Sequence, residues 1–201
     1  MHSDELPMYI SSEGTEVIVI EDSKRNIDRA LQVRRAVPYA SYLQNKTIIH
    51  ASSVLYEWGV LGFVGESGSG KSTFAKELEI NGCKLISDDL LPIRIVDETV
   101  VVPYLDCDKL SMYPIDALFF LTRKKELETV VLRAISKSQG LKLLLVNAFG
   151  DLAHDKLWSY QFDFLLNLVK LTNCSLLEVP DDKSKLKQSA ADILKKFDDL
   201  K

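Results

Sequence analysis

Cysteines are scarce in this sequence, and long apolar runs are missing. The three cysteines, Cys83, Cys107 and Cys174, are far apart and form no Cys-x-x-Cys pair, so we expect neither a disulfide framework nor a zinc site built from them. No run of about 18 apolar residues is present, and the N-terminal residues are polar and acidic where a signal peptide would be basic and then apolar. These absences predict a cytoplasmic protein that is neither exported nor membrane-spanning.

A basic surface pattern is missing as well. The formal net charge is −4, and the densest basic cluster, residues 123–125, is followed at once by Glu126 and Glu128. Because binding to a polyanion requires a basic face, we expect no nucleic acid partner and interpret the cluster as a solvated turn. No internal repeat or low-complexity segment divides the 201 residues, which are enough for one sizeable α/β core.

The sequence does contain a complete phosphate-binding motif. Residues 65–72 are G-E-S-G-S-G-K-S; an apolar strand pattern at residues 61–64 precedes them, and a helical pattern at residues 72–81, capped by Gly82, follows. Glycines let such a loop turn its backbone N–H groups toward an anion, and the helix adds its positive end. The context favours a nucleotide-binding P-loop over the alternative, a glycine-rich surface turn.

The residues of this motif have expected roles. Lys71 would reach the β- and γ-phosphates of a nucleotide, and the Ser72 hydroxyl would bind Mg²⁺ directly. The residues predicted to bind the nucleotide are Gly65, Glu66, Ser67, Gly68, Ser69, Gly70, Lys71, Ser72 and Thr73. The motif indicates a nucleotide but does not say what is done with it.

A hairpin is predicted ahead of the loop. Residues 47–56 and 60–64 are two β-rich runs, and the short connection between them ends in Gly59, which predicts a turn at the glycine. Pairing the two runs from the turn outward places His50 opposite Gly65, the first residue of the motif. His50 is therefore a candidate site residue, and the alternative is a hydrogen-bonded structural histidine.

A pair of carboxylates follows the predicted helix. Residues 83–87 form a short predicted strand, and together with the preceding strand, loop and helix they predict a right-handed βαβ unit with parallel strands. Asp88 and Asp89 then lie at the carboxyl end of that strand, the edge at which open α/β sheets bind ligands. Because side chains alternate along an extended segment, one carboxylate can face a metal and the other an acceptor hydroxyl. The alternative is a polar turn or a helix cap.

Patterns along the rest of the chain predict further elements. We expect strands at residues 16–20, 93–95, 99–102, 117–121 and 175–179, and helices at residues 136–147 and 155–171. The apolar stripe of the second helix is interpreted as core packing rather than as a binding face. A terminal helix begins at Asp182 and either docks on the domain or serves a dimer or a partner; its apolar residues are Leu186, Ala190, Ile193, Phe197 and Leu200.

Guanine-specific switches need an N-K-x-D segment after a later strand, and the sequence lacks one: residues 146–149 are V-N-A-F, without the Lys and the Asp. We therefore do not expect a Ras-like role.

Phosphoryl transfer needs positioned phosphates, Mg²⁺ and a group that orients or deprotonates the acceptor. Each of these roles has a candidate in this chain.

Three motifs taken together resemble the catalytic domain of HPr kinase/phosphorylase. They are His50-Ala51-Ser52, the loop G-E-S-G-S-G-K-S-T at residues 65–73, and Gly82 followed by L-I-S-D-D at residues 85–89. That family has a histidine at a comparable distance ahead of its loop, a G-x-S-G-x-G-K-S loop, and a G-x-x-L-x-x-D-D segment after its helix. The resemblance is strong over residues 47–92 and diffuse from there to about residue 180.

The resemblance implies a fold, an activity and site residues. The fold is an α/β P-loop core like that of phosphoenolpyruvate carboxykinase and HPr kinase, with a mixed β-sheet flanked by helices. The activity is ATP- and Mg²⁺-dependent phosphorylation of a serine hydroxyl. By position, Lys71 and Ser72 would hold phosphate and metal. Asp88 would be the acid/base, Asp89 would assist the metal, and His50 would contact phosphate.

Two departures favour a divergent relative of the family. The 46 residues before Thr47 leave no room for the separate N-terminal domain of the full-length kinase, and residues 97–108, D-E-T-V-V-V-P-Y-L-D-C-D, lack the family's Glu- and Gly-rich signature loop. Shorter kinases that resemble this domain include those acting on a serine of a ribosomally made precursor peptide. Glu98 or Asp106 is a candidate for the missing metal-side carboxylate, and Arg123 for a phosphate clamp.

The expected organisation is one domain with an N-terminal extension at residues 1–46, a catalytic core at 47–180 and a C-terminal helix at 181–201. Three functions stay open: a serine kinase acting on a small protein or peptide, a small-molecule kinase, and a nucleotide-binding sensor without transfer. A closed pocket at residues 103–114 would favour the small molecule, and an open groove the peptide. A homo-oligomer is compatible with the sequence, and no membrane partner is expected.

Overall fold

The chain has a mixed α/β fold in which helices flank a β-sheet. In this computed structural model, the structure describes residues 8–14, 16–19, 36–37, 40–106, 109–147 and 155–198. The strands are β1 (Met8–Ile10), β2 (Val17–Val19), β3 (Thr47–Tyr56), β4 (Gly59–Val64), β5 (Lys84–Ser87), β6 (Leu90–Val96), β7 (Thr99–Asp106), β8 (Lys109–Lys124), β9 (Val131–Ala134) and β10 (Asn173–Pro180). The helices are α1 (Lys71–Ile80), α2 (Lys137–Val146), α3 (Asp155–Leu171) and α4 (Lys183–Asp198). β1 and β2 form a separate antiparallel pair, and β3 to β10 form one sheet.

β4, the strand that leads into the glycine-rich loop, lies inside the sheet between β3 and β8. It is antiparallel to β3 and parallel to β8, and all six of its residues are buried. A strand covered on both faces needs an almost continuous apolar sequence, which G-V-L-G-F-V provides. β8 is also parallel to β10, and β10 is antiparallel to β9. The sheet is therefore mixed.

The β3–β4 hairpin has the predicted register. Leu55 lies opposite Val60, and Ala51 lies opposite Val64. His50 therefore lies one residue beyond the last β3–β4 pair, beside the point where β4 ends and the loop begins.

The turn of this hairpin differs from the prediction. It is formed by Glu57 and Trp58, between the two strands, and Glu57 adopts a left-handed φ of 53°. Gly59, at which the turn was expected, is instead the first residue of β4. A side chain at Gly59 would collide with the carboxylate of Asp116 on β8, so the missing side chain leaves room for this carboxylate.

The segment from β4 through α1 to β5 differs from the predicted βαβ unit in one respect. β4 and β5 run in the same direction, as expected, because each is antiparallel to β3. However, they are not neighbours, since β3 lies between them. The predicted parallel direction of the two strands is therefore confirmed, with β3 inserted between them, and their carboxyl ends lie at the same edge of the sheet.

β6 and β7 form the predicted hairpin, which is part of a closed ring of paired strands. The turn residues Asp97 and Glu98 both have positive φ, 47° and 60°, as two-residue hairpin turns require. β7 pairs with the first half of β8, and the second half of β8 pairs with β4. The pairings β4–β3, β3–β6, β6–β7, β7–β8 and β8–β4 consequently close into a ring.

β8 is longer than the strand expected at residues 117–121. It begins at Lys109 and continues through Pro114, which lies opposite Val101 of β7. β4 pairs with β8 only from Ile115 onward. At Pro114, the side of β8 that faces β4 further along is therefore unpaired within the described chain. A proline, which has no N–H group, is tolerated at such an edge.

Two apolar cores lie on opposite faces of the sheet. One contains Phe63, Phe74 and Phe119 and is covered by α1 and α4, while the other lies within the ring of strands and is covered by α2 and α3. Alternation of side chains along β4 explains the division, because Phe63 belongs to the first core and its neighbour Val64 to the second. The sheet edge that carries the loop is thereby held between two packed layers.

The apolar stripes of the last two helices pack inside the chain. The described stripe residues of α4 are buried in the first core, which confirms the docked helix rather than a free partner helix; they are Leu186, Ala190, Ile193 and Phe197. In α3, Phe164 and Leu168 are buried in the second core, which confirms core packing, although Leu171 is exposed. Leu200 lies outside the described residues.

Candidate active site

The glycine-rich loop lies between a buried strand and a helix, as the sequence predicts. β4 ends at Val64, and α1 begins at Lys71. Gly68 and Gly70 have positive φ, 80° and 98°, a conformation that L-residues rarely adopt. These two reversals turn the chain from the strand into the first turn of α1, and four N–H groups at a helix N-terminus have no partner within the helix. The loop therefore has the backbone form of an anion cradle.

Lys71 lies folded across the base of this loop. Its ammonium donates hydrogen bonds to the carbonyl oxygens of Gly65, at 2.8 Å, and Glu66, at 2.9 Å, and the residue is only 5% exposed. Burial lowers the pKa of Lys71, while the nearby charge of Asp89 opposes that shift. Two neutral carbonyl oxygens compensate only in part for the lost hydration of a buried ammonium. A phosphate bound to the loop would therefore interact with a positive charge that is already in position.

Arg123 contacts the loop from the side of β8. Its Nε donates to the carbonyl oxygen of Ser69 at 3.0 Å, and its Nη1 lies 3.4 Å from Oδ1 of Asp181. The guanidinium is so close to Gly70 that a Cβ there would lie 2.5 Å from Nη2. The prediction that residues 123–125 form a solvated turn is therefore wrong for Arg123, which belongs to β8 and supports the loop. Arg123, the candidate phosphate clamp, thus lies beside the loop, and its contact with a phosphate stays a prediction.

Asp88 and Asp89 interrupt two strands that run along the same edge of β3. β5 pairs with β3 up to Ser87, β6 pairs with it from Leu90, and both are antiparallel to it. Between them, the N–H of Ala51 donates to the carbonyl oxygen of Asp89 at 3.1 Å. The two aspartates thus form a short irregular segment held against the centre of β3, rather than a free turn.

The two carboxylates have different partners. Oδ1 of Asp89 lies 3.0 Å from Nε2 of His50. Oδ2 of Asp88 lies 3.9 Å from Nζ of Lys76 on α1, and the buried hydroxyl of Ser52 donates to the Asp88 carbonyl oxygen at 2.9 Å. Both aspartate side chains remain about half exposed, at 44% for Asp88 and 55% for Asp89. The sequence-based expectation that the two side chains diverge is consistent with these contacts.

The aspartates and the loop meet at one edge of the sheet. Oγ of Ser72, in the first turn of α1, lies 3.5 Å from the carbonyl oxygen of Asp88, and the charge of Asp89 acts on Lys71. His50 joins the group through Asp89. The structure therefore brings together the residues predicted from the three separate motifs.

The oxygen atoms at this site suit a Mg²⁺ ion that is shared with substrate phosphates, rather than a metal ion held only by protein side chains. Among the described residues, no three His, Cys, Asp or Glu side chains gather as a metal-binding group. Mg²⁺ is usually held by one or two carboxylates and by substrate phosphates, with water at the remaining positions. The hydroxyl of Ser72 and the half-exposed carboxylates of Asp88 and Asp89 are oxygen donors of that kind. Ser69, in the loop itself, has a buried hydroxyl without a hydrogen-bond partner in the described chain, and no contact joins it to the two aspartates.

Two other candidate residues lie on the strands and turns around β7, and no described contact places Glu98 at the site. Glu98 is in the β6–β7 turn, and Asp106 is the last residue of β7. Residues 103–106 and 109–114 form an extended antiparallel hairpin in which Pro103 lies opposite Met112. Leu105 and Leu110 of this hairpin are largely exposed, so this segment is an open surface rather than the wall of a closed pocket.

Comparisons with known proteins show distant structural likeness alone. No protein-family profile matches the chain, and no curated protein matches it. Solved structures that match include the Hpr(Ser) kinase/phosphatase from Coxiella burnetii, with a TM-score of 0.41 and 10% sequence identity over 75% of this chain and 98% of that chain. A likeness at this TM-score carries no argument about activity. In the described part of the chain, no helix has the length and apolar character needed to cross a membrane.

Proposed function

We infer that this chain is a Mg²⁺-dependent kinase that transfers the terminal phosphate of ATP to a serine hydroxyl of a small protein or peptide. The observation that carries this proposal is the meeting of a glycine-rich loop, a buried lysine and two half-exposed carboxylates at one sheet edge. Phosphoryl transfer requires this set: a cradle for the phosphates, oxygen donors for a metal, and a base near the acceptor.

Each residue has a proposed role that follows from its contacts. The loop N–H groups and Lys71 hold the phosphates, because Lys71 is a buried cation beside the cradle. Ser72 and Asp89 supply oxygen donors for Mg²⁺, which when bound spreads the negative charge of the phosphates. His50 orients Asp89 through the 3.0 Å contact.

Asp88 is the proposed general base. In the transfer step, the acceptor hydroxyl oxygen bonds to the γ-phosphorus, the bond from that phosphorus to the β,γ-bridging oxygen breaks, and ADP leaves. The Asp88 carboxylate takes the proton that the hydroxyl loses.

The open hairpin at residues 103–114 supports a peptide or protein acceptor over a small molecule. A small-molecule kinase encloses its acceptor in a cavity, whereas Leu105 and Leu110 stand exposed on this hairpin. An exposed apolar strand pair suits an extended polypeptide.

The direct test is transfer of labelled phosphate from ATP into a panel of serine-containing peptides and into cell extract, followed by mass spectrometry. The proposal predicts phosphoserine in a defined peptide with the native protein and none with Asp88→Asn. Label in a small molecule alone would overturn the choice of acceptor. ATP binding without any Asp88-dependent transfer would instead establish a nucleotide-binding sensor.

A further inference from the structure

A cavity of about 490 Å³ adjoins the glycine-rich loop on the side away from the two aspartates. Its walls are the loop at residues 65–69, the end of β8 at residues 120–123, and the apolar side chains of Leu143, Val146 and Leu176. Cavities that bind small molecules usually enclose roughly 300–1,000 Å³. This one is therefore large enough for a ligand of nucleoside size.

The order of the strands determines which part of a bound nucleotide would face this cavity. β4 lies between β3 and β8, the aspartates lie against β3, and the cavity is lined by β8. If the γ-phosphate is directed toward Asp88 and the acceptor, the triphosphate crosses the loop and its nucleoside end emerges on the β8 side. The cavity lies at that end.

The chemistry of the walls suits a flat heteroaromatic base. Leu143 and Val146 of α2 and Leu176 of β10 provide apolar surface. The polar lining comes from Thr122, Asn147 and two charged residues, Arg123 and Glu66. The Asn147 amide is fixed at the end of α2, because its Nδ2 donates to the carbonyl oxygen of Leu143 at 2.8 Å. Apolar walls with a few placed polar groups are typical of sites that bind a base and fix its orientation.

We propose that this cavity is the nucleoside subsite of the phosphate donor, in which the base lies against the last turn of α2 and the end of β8. The proposal rests on the proposed nucleotide-dependent function. It adds that the chain recognises the nucleoside of its donor as well as the phosphates, and it assigns this recognition to the α2–β8 side of the loop.

Val146 offers a test with a closely matched control. It is 69% exposed at the cavity, and Ile80, at the end of α1, is 70% exposed and does not line the cavity. Val146→Ser removes apolar contact with a bound base without cutting into a core. We expect it to weaken ATP binding by about fivefold while the affinity for inorganic tripolyphosphate, which has no base, stays the same. Ile80→Ser should change neither affinity.

A second variant and a chemical probe keep the result independent of any one substitution. Leu143→Ala should give the same selective loss, with thermal unfolding measured to confirm that the variant is folded. Photolysis of bound 8-azido-ATP should label a peptide containing residues 143–147 or 120–123. Equal ATP affinity in native protein, Val146→Ser and Leu143→Ala, or label confined to other peptides, would overturn the subsite.

The measurements distinguish a wrong assignment of the cavity from a wrong proposal of nucleotide-dependent function. If the native protein binds tripolyphosphate and ATP with equal affinity and both variants are unaffected, the cavity is not used, although the loop still binds phosphates. If the native protein binds neither compound, the proposed function fails and the subsite is overturned with it.

Discussion

His50 and Asp89 form a direct pair, with Nε2 of the histidine 3.0 Å from Oδ1 of the carboxylate. The partners come from β3 and from the segment after β5, so the contact joins two parts of the chain that lie 39 positions apart. We predict that His50→Ala raises the Mg²⁺ concentration for half-maximal transfer by about tenfold, because groups that orient a metal-binding carboxylate typically contribute 10–100-fold to metal affinity or activity. A Mg²⁺ titration of the transfer rate measures this.

The conservative variant separates orientation from general loss of structure. His50→Gln retains a donor that can reach Asp89 and should recover most of the native Mg²⁺ dependence. An unchanged Mg²⁺ requirement in His50→Ala would assign His50 a structural role, which the sequence left open.

Asp88→Asn should separate nucleotide binding from chemistry. The amide has nearly the shape of the carboxylate but cannot accept the acceptor proton, so we expect transfer to fall by roughly 10²-fold or more while ATP affinity changes little. Single-turnover transfer and ATP titration measure the two quantities. Asp163→Asn, at an exposed position of α3, is the control, and a native transfer rate in Asp88→Asn would eliminate this residue as the base.

The pH dependence of nucleotide binding should show the lowered pKa of Lys71. Burial lowers the pKa of this ammonium from its ordinary value of 10.5, and bound phosphates favour the charged form, so binding raises the pKa again. ATP affinity should therefore be constant below the lowered pKa and fall as the pH rises through it toward 10.5. Dissociation constants measured from neutral to alkaline pH test this, with Lys71→Ala as the control in which the fall disappears. A native affinity that stays constant over the whole range would count against a phosphate contact by Lys71.

Two glycines with the same backbone angle allow strain and site geometry to be separated. Gly70 and Gly82 both have a φ of 98°. A Cβ at Gly70 would meet the Arg123 guanidinium, whereas a Cβ at Gly82 would meet no atom of the described chain within 4 Å apart from its sequence neighbours. Each Gly→Ala change should lower the free energy of unfolding by about 1–2 kcal/mol through backbone strain. Only Gly70→Ala should also abolish ATP binding, because Arg123 or the loop must shift. Equal ATP affinity in both variants would show that the loop does not need this conformation.

The strand–loop–helix arrangement could be predicted because its signals are local. The glycine pattern predicts where the chain reverses, the apolar pattern predicts β4 and α1, and the short connection before Gly59 restricts the register of β3 so closely that the position of His50 follows. The same restriction did not locate the turn residues, because Glu57 adopts a positive φ that a glycine was expected to supply.

What could not be predicted depends on contacts between distant segments. β3 separates β4 from β5, and no local pattern indicates which strand is inserted between two others. The strand expected at residues 117–121 begins earlier, at Lys109, and includes Pro114, because one edge of β8 is unpaired there within the described chain. β9 has four residues, all of them partly or fully exposed, so its sequence shows little apolar alternation. The contact of Arg123 with the loop likewise depends on the position of the end of β8, which is set by pairing with other strands.

The central claim is that the loop and the two aspartates form one site for a triphosphate and its magnesium. Calorimetric titration of MgATP into the native protein and into Lys71→Ala tests it most directly. We predict saturable binding of MgATP to the native protein and an affinity lower by about 10–100-fold in the variant, since a hydrogen bond to a charged group contributes roughly 1.5–3 kcal/mol. No detectable nucleotide binding by the folded native protein, or the same affinity in both proteins, would contradict the claim.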